Sequence, residues 1–369
     1  MPAQILHVLF GEDLADALLP YAPQTWSRSR WDEACQAAFA AGCQGPDLFY
    51  HSRRTRPLAL AYGSLLHRRG FGDFCVRLLK TALPAPSQGM NPCGAYALGF
   101  LSHAALDRAC HPYIIYKSAG IPAGHEGNGL YHPFLERILD ALMLKRLRGI
   151  ETAEWNQGPL TKACSNPPPG LKGLIAEALR AAFPEKAAAD ASLALRIDGA
   201  FADSARFYSL TDPAKTLAET LDAPPPLNRR YLSVVYPLNL PGDIDFLNLS
   251  QKPWHYPYRP PSIATQESPA AKPDTRSFPE IYADALKTAA NAITPCIARY
   301  LETGVLPPEA AAEGIGNGGL SIQDGEGKPC GPNFSRPLPL DAVLERQCRM
   351  RENRNLARLE IPTPAPYTQ

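Results

Sequence analysis

The stretch YALGFLSHAALDRACHPYIIY, residues 96–116, sets His103, Asp107 and His111 in a run that is otherwise largely apolar. Apolar residues recur through it at helical spacing, with Leu98, Phe100 and Leu101 among them, so the segment forms a helix that buries much of its surface. Four residues advance about 400° around a helix, which places His103 and Asp107 on one side. Pro112 disfavours α conformation at the residue before it, so the helix is expected over 93–110 with His111 at its end. Two imidazoles and a carboxylate along a buried stripe are either core residues satisfied by their neighbours or the ligands of something that binds all three.

The same periodicity extends in both directions. Helices are expected over 3–19, 32–41, 57–69, 71–82, 93–110, 133–148, 171–183, 187–209 and 279–303. The one β-like run, YLSVVYPL at 231–238, is weakened by Pro237. The fold class is therefore all-α, a multi-helix bundle. The 39 prolines cluster between the helical segments. Residues 222–278 are too long for an ordinary helix connection, and Trp254, Tyr256 and Tyr258 argue that they wrap over the core, since a solvated linker gains nothing from aromatics. Gly and Pro dominate 304–340. The expected organisation is one domain over 1–320 and a peripheral tail over 321–369, in which LDAVLERQCRMRENRNLARLE forms an exposed helix.

Composition narrows the class further. With 369 residues, 45% of them hydrophobic and 20% charged, the chain is globular and not intrinsically disordered. A net charge of +1 gives no reason to expect a nucleic-acid surface. The nine cysteines are scattered without a CxxC pair, which disfavours a disulfide framework or a cysteine zinc knuckle and fits a reducing compartment. The first residues, MPAQILHVLFGEDLADALLP, lack a basic leader, so no signal peptide is expected. No run approaches the ~20 apolar residues that span a bilayer. The expected location is the cytoplasm, and peripheral membrane contact stays open.

A second pair repeats the first. In YHPFLERILD, Pro133 can open a helix with His132 before it, and Glu136 lies one turn on. Two helices thus each present a His and a carboxylate four residues apart, an arrangement used to hold metal between facing helices of a bundle. Burying such groups unpaired would cost roughly several kcal/mol each.

The segments LHVLF, AGCQGPDLFY, SLLHRRGFGDF, FLSHAALDRACHPYI and YHPFLE occur in the order seen in bacterial zinc-dependent phospholipases C. The chain resembles that family strongly over about 1–150, and weakly through the Trp254 loop and SFPEIYADA. The resemblance implies an all-α bundle around two to three zinc ions. Carried over position by position, it gives Asp47, His67, His103 and Asp107 to one zinc and His111, His132 and Glu136 to a second, with His7 and the shared Asp107 at a third. His nitrogens and carboxylate oxygens suit zinc, and three protein ligands plus water is its catalytic form. By the same resemblance Asp47 doubles as ligand and general base. Two departures stand out. Secreted members complete the third site with the amine and carbonyl of an N-terminal Trp, where this chain has Met-Pro; Glu12 or Asp13 either substitutes there or is a solvated charge on the helix face. The Tyr that helps them recognise choline, beside the Asp of GPD, is Leu48 here.

Other candidates carry less. His51 with Arg53 and Arg54 either lines the mouth of the site or is a solvated turn. His125 sits on a Gly-rich loop near His132, and His255 in KPWHYPY supports packing of the long loop. GEGKPCG lacks P-loop spacing. Residues 150–230 match no motif. The leading function is a zinc-dependent phosphodiesterase acting on a phospholipid or a related soluble diester. A tri-zinc hydrolase like the single-strand nucleases and a non-catalytic zinc-stabilised binding protein are the alternatives, and no nucleic-acid partner is expected. The sequence does not address oligomeric state.

Overall fold

Helix α6 (Pro92–Ser118) runs through the middle of the molecule and is buried on nearly every side. The computed structural model describes residues 4–118, 128–217, 228–254, 258–259, 273–304, 314–320, 328–329 and 337–359. Around α6 are arranged α1 (Gln4–Leu18), α2 (Glu33–Cys43), α5 (Phe71–Ala82), α7 (Asn128–Arg148) and α14 (Phe278–Thr303). The short helices α3 (Asp47–Tyr50) and α4 (Leu60–Leu66) lie between α2 and α5 in the chain. A second tier holds α8 (Gly158–Ser165), α9 (Leu171–Ala182), α10 (Pro184–Ala188) and α11 (Leu193–Leu210), with α9 against α5 and α8 against α2. Then come α12 (Pro213–Thr216), α13 (Arg229–Leu232) and, near the end, α15 (Leu340–Leu359). The class is all-α, as expected. Among the described residues, extended pairing amounts to the two-residue strands β1 (Tyr258–Arg259) and β2 (Lys328–Pro329), which are antiparallel, and a Trp254–Asp274 bridge.

Local chemistry explains the clean boundaries. Asp32 caps α2 by accepting the Cys35 N–H at 2.7 Å. Ser277 and Glu280 form a reciprocal capping box at the start of α14, and Gly304 ends that helix at φ +68°. α2 lies against α6 where both carry glycine. A Cβ on Gly42 would stand 2.1 Å from the Tyr96 carbonyl oxygen, and one on Gly99 2.4 Å from that of Phe39.

The structure corrects several expectations. α6 does not stop before Pro112 but continues to Ser118. An interior proline costs about 3 kcal/mol. Beyond it Tyr113, Ile114 and Tyr116 are each no more than 2% exposed, and each such burial returns about 1.5–3 kcal/mol, so packing outweighs the proline. α7 likewise begins at Asn128 with Pro133 inside it, so His132 is a helical residue and not a cap. The expected helix over 187–209 is two, α10 and α11. Between them the Asp190 carboxylate accepts the Ser192 N–H at 3.0 Å and turns the chain. Residues 231–238 form no strand; a helical turn and irregular chain bury Leu232, Val235, Tyr236 and Leu238.

The long segment does wrap the core where it is described. Trp254 is buried edge-on to Tyr113 and donates its indole N–H to the Arg276 carbonyl; Tyr256 and the side chain of Tyr258 lie outside the described residues. The helix expected to be exposed near the C terminus is instead docked. Leu340, Val343 and Leu344 of α15 are buried, Gln347 exchanges two 2.7 Å hydrogen bonds with the Leu238 backbone, and Arg351 donates to the Thr216 and Tyr236 carbonyls. Its polar sequence hides this because the buried stripe is narrow and partly hydrophilic.

Candidate metal centre

Five elements deliver the eight predicted side chains to one place. His7 comes from α1, Asp47 from the first turn of α3, and His67 from the residue that caps α4. His103, Asp107 and His111 come from α6, and His132 and Glu136 from α7. The turn between α2 and α3 passes close beneath α6. Gly45 there has φ +52°, and a Cβ on it would lie 2.3 Å from Cγ of His103, so only glycine brings Asp47 this near the stripe.

The side chains form three interlocked groups, each with ligand atoms within 4.8 Å of one another: His7 with His103 and Asp107, Asp47 with His67 and His103, and His111 with His132 and Glu136. His103 belongs to two groups, and Asp107, a member of the first, lies within 4.0 Å of a histidine from each of the others. One Asp107 oxygen lies 3.6 Å from His7 Nε2; the other is 3.4 Å from His103 Nε2, 3.8 Å from His111 Nδ1 and 4.0 Å from His67 Nε2. His67 Nε2 is 3.0 Å from Asp47 Oδ1, and His132 Nε2 is 2.7 Å from Glu136 Oε1. The imidazoles of His7 and His103 stack with centroids 3.9 Å apart. His132 is the most exposed of these side chains, at 31%, and marks the open side of the centre.

Backbone carbonyls orient three of the histidines. Nδ1 of His67 faces the Gly63 oxygen at 2.8 Å, Nδ1 of His103 the Cys43 oxygen at 3.1 Å, and Nδ1 of His111 the Leu320 oxygen at 3.3 Å. A carbonyl only accepts, so each Nδ1 carries the proton, and Nε2 is the nitrogen that His67 and His103 turn to the carboxylates of the centre. For His67 the Nε2 lone pair points at the Asp47 carboxylate, so a second proton or a cation has to lie between them. Both nitrogens of His7, Nε2 of His103 and both oxygens of Asp107 are buried with no hydrogen-bond partner. Orphaned donors and acceptors of this kind are rare in folded proteins. This donor set of imidazoles and carboxylates fits divalent zinc.

Protonation follows from burial and charge. Burial pushes His7 down to about 4 and holds His111 and His132 well below the ordinary histidine value. Burial opposes the charged forms of His103, Asp107 and Asp47 too, but the pairing of imidazole with carboxylate outweighs it. His103 is therefore held above its usual value and both carboxyls below theirs. Glu136 is pushed well up by burial. Histidines that stay neutral near pH 7 do not make a cation compete with protons.

The remaining candidates lie elsewhere. Glu12 pairs with Arg28 at 2.6 Å, while Asp13 takes hydrogen bonds from Arg148 and the Tyr282 hydroxyl, so neither joins a group. His51 is neither a ligand nor a solvated turn. It stacks on Phe207 at 4.1 Å with Nδ1 on the Ser204 hydroxyl, and burial lowers it to about 4. Arg53 and Arg54 are exposed, their N–H groups held by Asp203. Leu48 is fully buried in the core, and Tyr50 lies with its ring 4.4 Å from that of His67. His125 and His255 are outside the described residues. The orienting carbonyls of Cys43, Gly63 and Leu320 went unread in the sequence, because a backbone oxygen has no residue type to signal it.

A family model described as zinc dependent phospholipase C matches residues 6–187. Over this segment the chain is similar to the zinc-dependent phospholipase C family. No curated protein and no solved structure matches. All eight candidate ligands fall inside the matched segment, whereas Leu320, which meets both His67 and His111, falls well outside it.

Proposed function

We propose that the protein is a zinc-dependent phosphodiesterase of the phospholipase C type, hydrolysing a phospholipid or a related phosphodiester. The observation that carries this reading is the convergence of three His/carboxylate groups, two sharing His103 and the third 3.8 Å from Asp107 through His111, with orphaned polar atoms among them. His7, Asp47, His67, His103, Asp107, His111, His132 and Glu136 would hold two to three zinc ions. Bound zinc would supply Lewis acidity toward the phosphate oxygens and a water acidic enough to ionise near neutral pH.

The chain's own residues do the rest. Asp47 stays ionised, and with Oδ1 engaged by His67 its second oxygen is the group suited to take a proton at the reacting face. His132 lines the open side, where a substrate enters. The buried wall of α6 excludes bulk water behind the centre, which strengthens every charge interaction inside it. Leu48, in place of the aromatic that helps secreted relatives recognise choline, removes one reason to expect a choline headgroup. Among the described residues no helix is long and apolar enough to cross a membrane.

Elemental analysis and hydrolysis of a chromogenic phosphodiester, with and without chelator, test the proposal. Two to three zincs per chain are expected, with turnover that chelation or His132→Ala abolishes and that added zinc restores to the wild type. Turnover that survives both perturbations overturns it, and bound zinc without turnover on any diester leaves only a stabilising role.

A further inference from the structure

Residues 314–320, GIGNGGL, form a strap that meets the end of α4 at His67, the start of α5 at Gly70, and α6 at Arg108 and His111. The guanidinium of Arg108, on α6 beside Asp107, is wrapped by its carbonyls. Nε donates to Gly319 at 3.3 Å, Nη2 to Gly316 at 2.9 Å and to Gly318 at 3.1 Å, and Nη1 to Ile315. Four oxygens converge this tightly because Gly316 takes φ +82° and leaves no Cβ near the guanidinium; one there would stand 3.1 Å from Nη1. Asn317 supplies a second anchor. Gly70, at the start of α5, has no side chain to cap that helix, so the Asn317 carboxamide accepts the Asp73 N–H at 2.9 Å and its carbonyl the Gly70 N–H at 3.0 Å. Leu320, fully buried, then makes the two contacts that matter for the centre. Its N–H donates to the His67 carbonyl at 2.9 Å, and its own carbonyl faces His111 Nδ1 at 3.3 Å.

We infer that Arg108 is a positioning residue: through the strap it clips in place, it fixes the ring orientation of His111 and the seat of His67, and so tunes two metal groups at once. This rests on the zinc reading above. The physical reason is that a histidine ligand needs its far nitrogen held, and one held only by backbone depends on whatever holds that backbone. A lysine could supply the charge but not the fork that meets four carbonyls together. The strap lies outside the family-matched segment, so this part of the chain supports a centre whose ligands all belong to that segment.

The test is zinc stoichiometry and affinity by chelator competition on the full chain, comparing wild type, Arg108→Lys, Arg108→Gln and Gly316→Ala, with melting of the metal-free proteins alongside. Each variant is expected to weaken one to two of the zinc sites by about 10–100-fold, the usual effect of removing a ligand's outer hydrogen-bond partner, while at least one site keeps wild-type affinity. Gly316→Ala changes only the strap and carries the test if the Arg108 variants do not fold. Uniform weakening in proportion to a lower melting temperature, or unchanged affinities in a folded variant, overturns the inference. Wild type that binds no zinc overturns the zinc reading itself, a different outcome from the first two.

Discussion

Stripping bound metal from the centre should lower the thermal midpoint by about 8 °C. The magnitude comes from the buried atoms that a cation would satisfy: one nitrogen of His7, Nε2 of His103 and both oxygens of Asp107. Leaving one buried polar atom unpaired costs about 1–3 kcal/mol, so at the lower bound these atoms together amount to about 4 kcal/mol. That is a large share of the roughly 5–15 kcal/mol that holds a folded protein together. Proton uptake does not relieve His7 at pH 7, since burial holds it near 4. For a chain of this size 1 kcal/mol moves the midpoint by about 2 °C, which gives the expected shift. Differential scanning calorimetry on zinc-loaded, chelated and reloaded protein reads it directly. Zinc should restore the midpoint and magnesium should not, because imidazole-rich sites favour zinc. A midpoint that moves by less than about 2 °C, once elemental analysis shows the zinc gone, refutes the reasoning.

Three further outcomes follow from named contacts. Asp47→Asn should lower kcat for diester hydrolysis by about 10²–10⁴-fold, the range for losing a general base, and an unchanged kcat would remove Asp47 from that role. Gly45→Ala should destabilise the protein by at least about 2 kcal/mol in urea unfolding, since it combines left-handed backbone with a collision against His103; a change below about 1 kcal/mol would show that the turn yields. Asp203 accepts N–H groups of Arg53, Arg54 and Thr55 and the Thr55 hydroxyl at 2.7–3.0 Å, so Asp203→Asn should cost about 2–3 kcal/mol at pH 7. Burial opposes ionisation of Asp203, but these donors outweigh it and hold the carboxyl below its ordinary 3.8. The difference from wild type should therefore be complete above that value and shrink as pH falls through the lower folded one, and a difference that grows in acid would contradict the assignment.

The sequence was most legible where one residue type has one physical meaning. Spacing put His103 with Asp107 and His132 with Glu136, and the resemblance supplied His7, Asp47 and His67. Strong periodicity with end signals fixed α5, α9 and α14 to within a residue or so. It misled where a local rule met a tertiary force. Pro112 and Pro133 were given the weight they carry in an isolated helix, yet both sit inside helices whose burial outweighs them. The polar face of α15 concealed a buried stripe of Leu340, Val343, Leu344 and Gln347. His51 pointed to the site or to solvent and turned out to pack on Phe207.

By itself, the sequence determined that the chain is helical and that a polar stripe of metal-binding type crosses an otherwise apolar helix, because side-chain chemistry and its period are local properties. Only the tertiary structure decided that Asp107 stands among three groups, that backbone oxygens from α2, α4 and a distant strap turn the imidazoles inward, and that Glu12 and Asp13 are spent on arginines. Those facts depend on which segments meet. Distance in space between residues hundreds of positions apart is set by the packing of the whole core, and no local pattern encodes it.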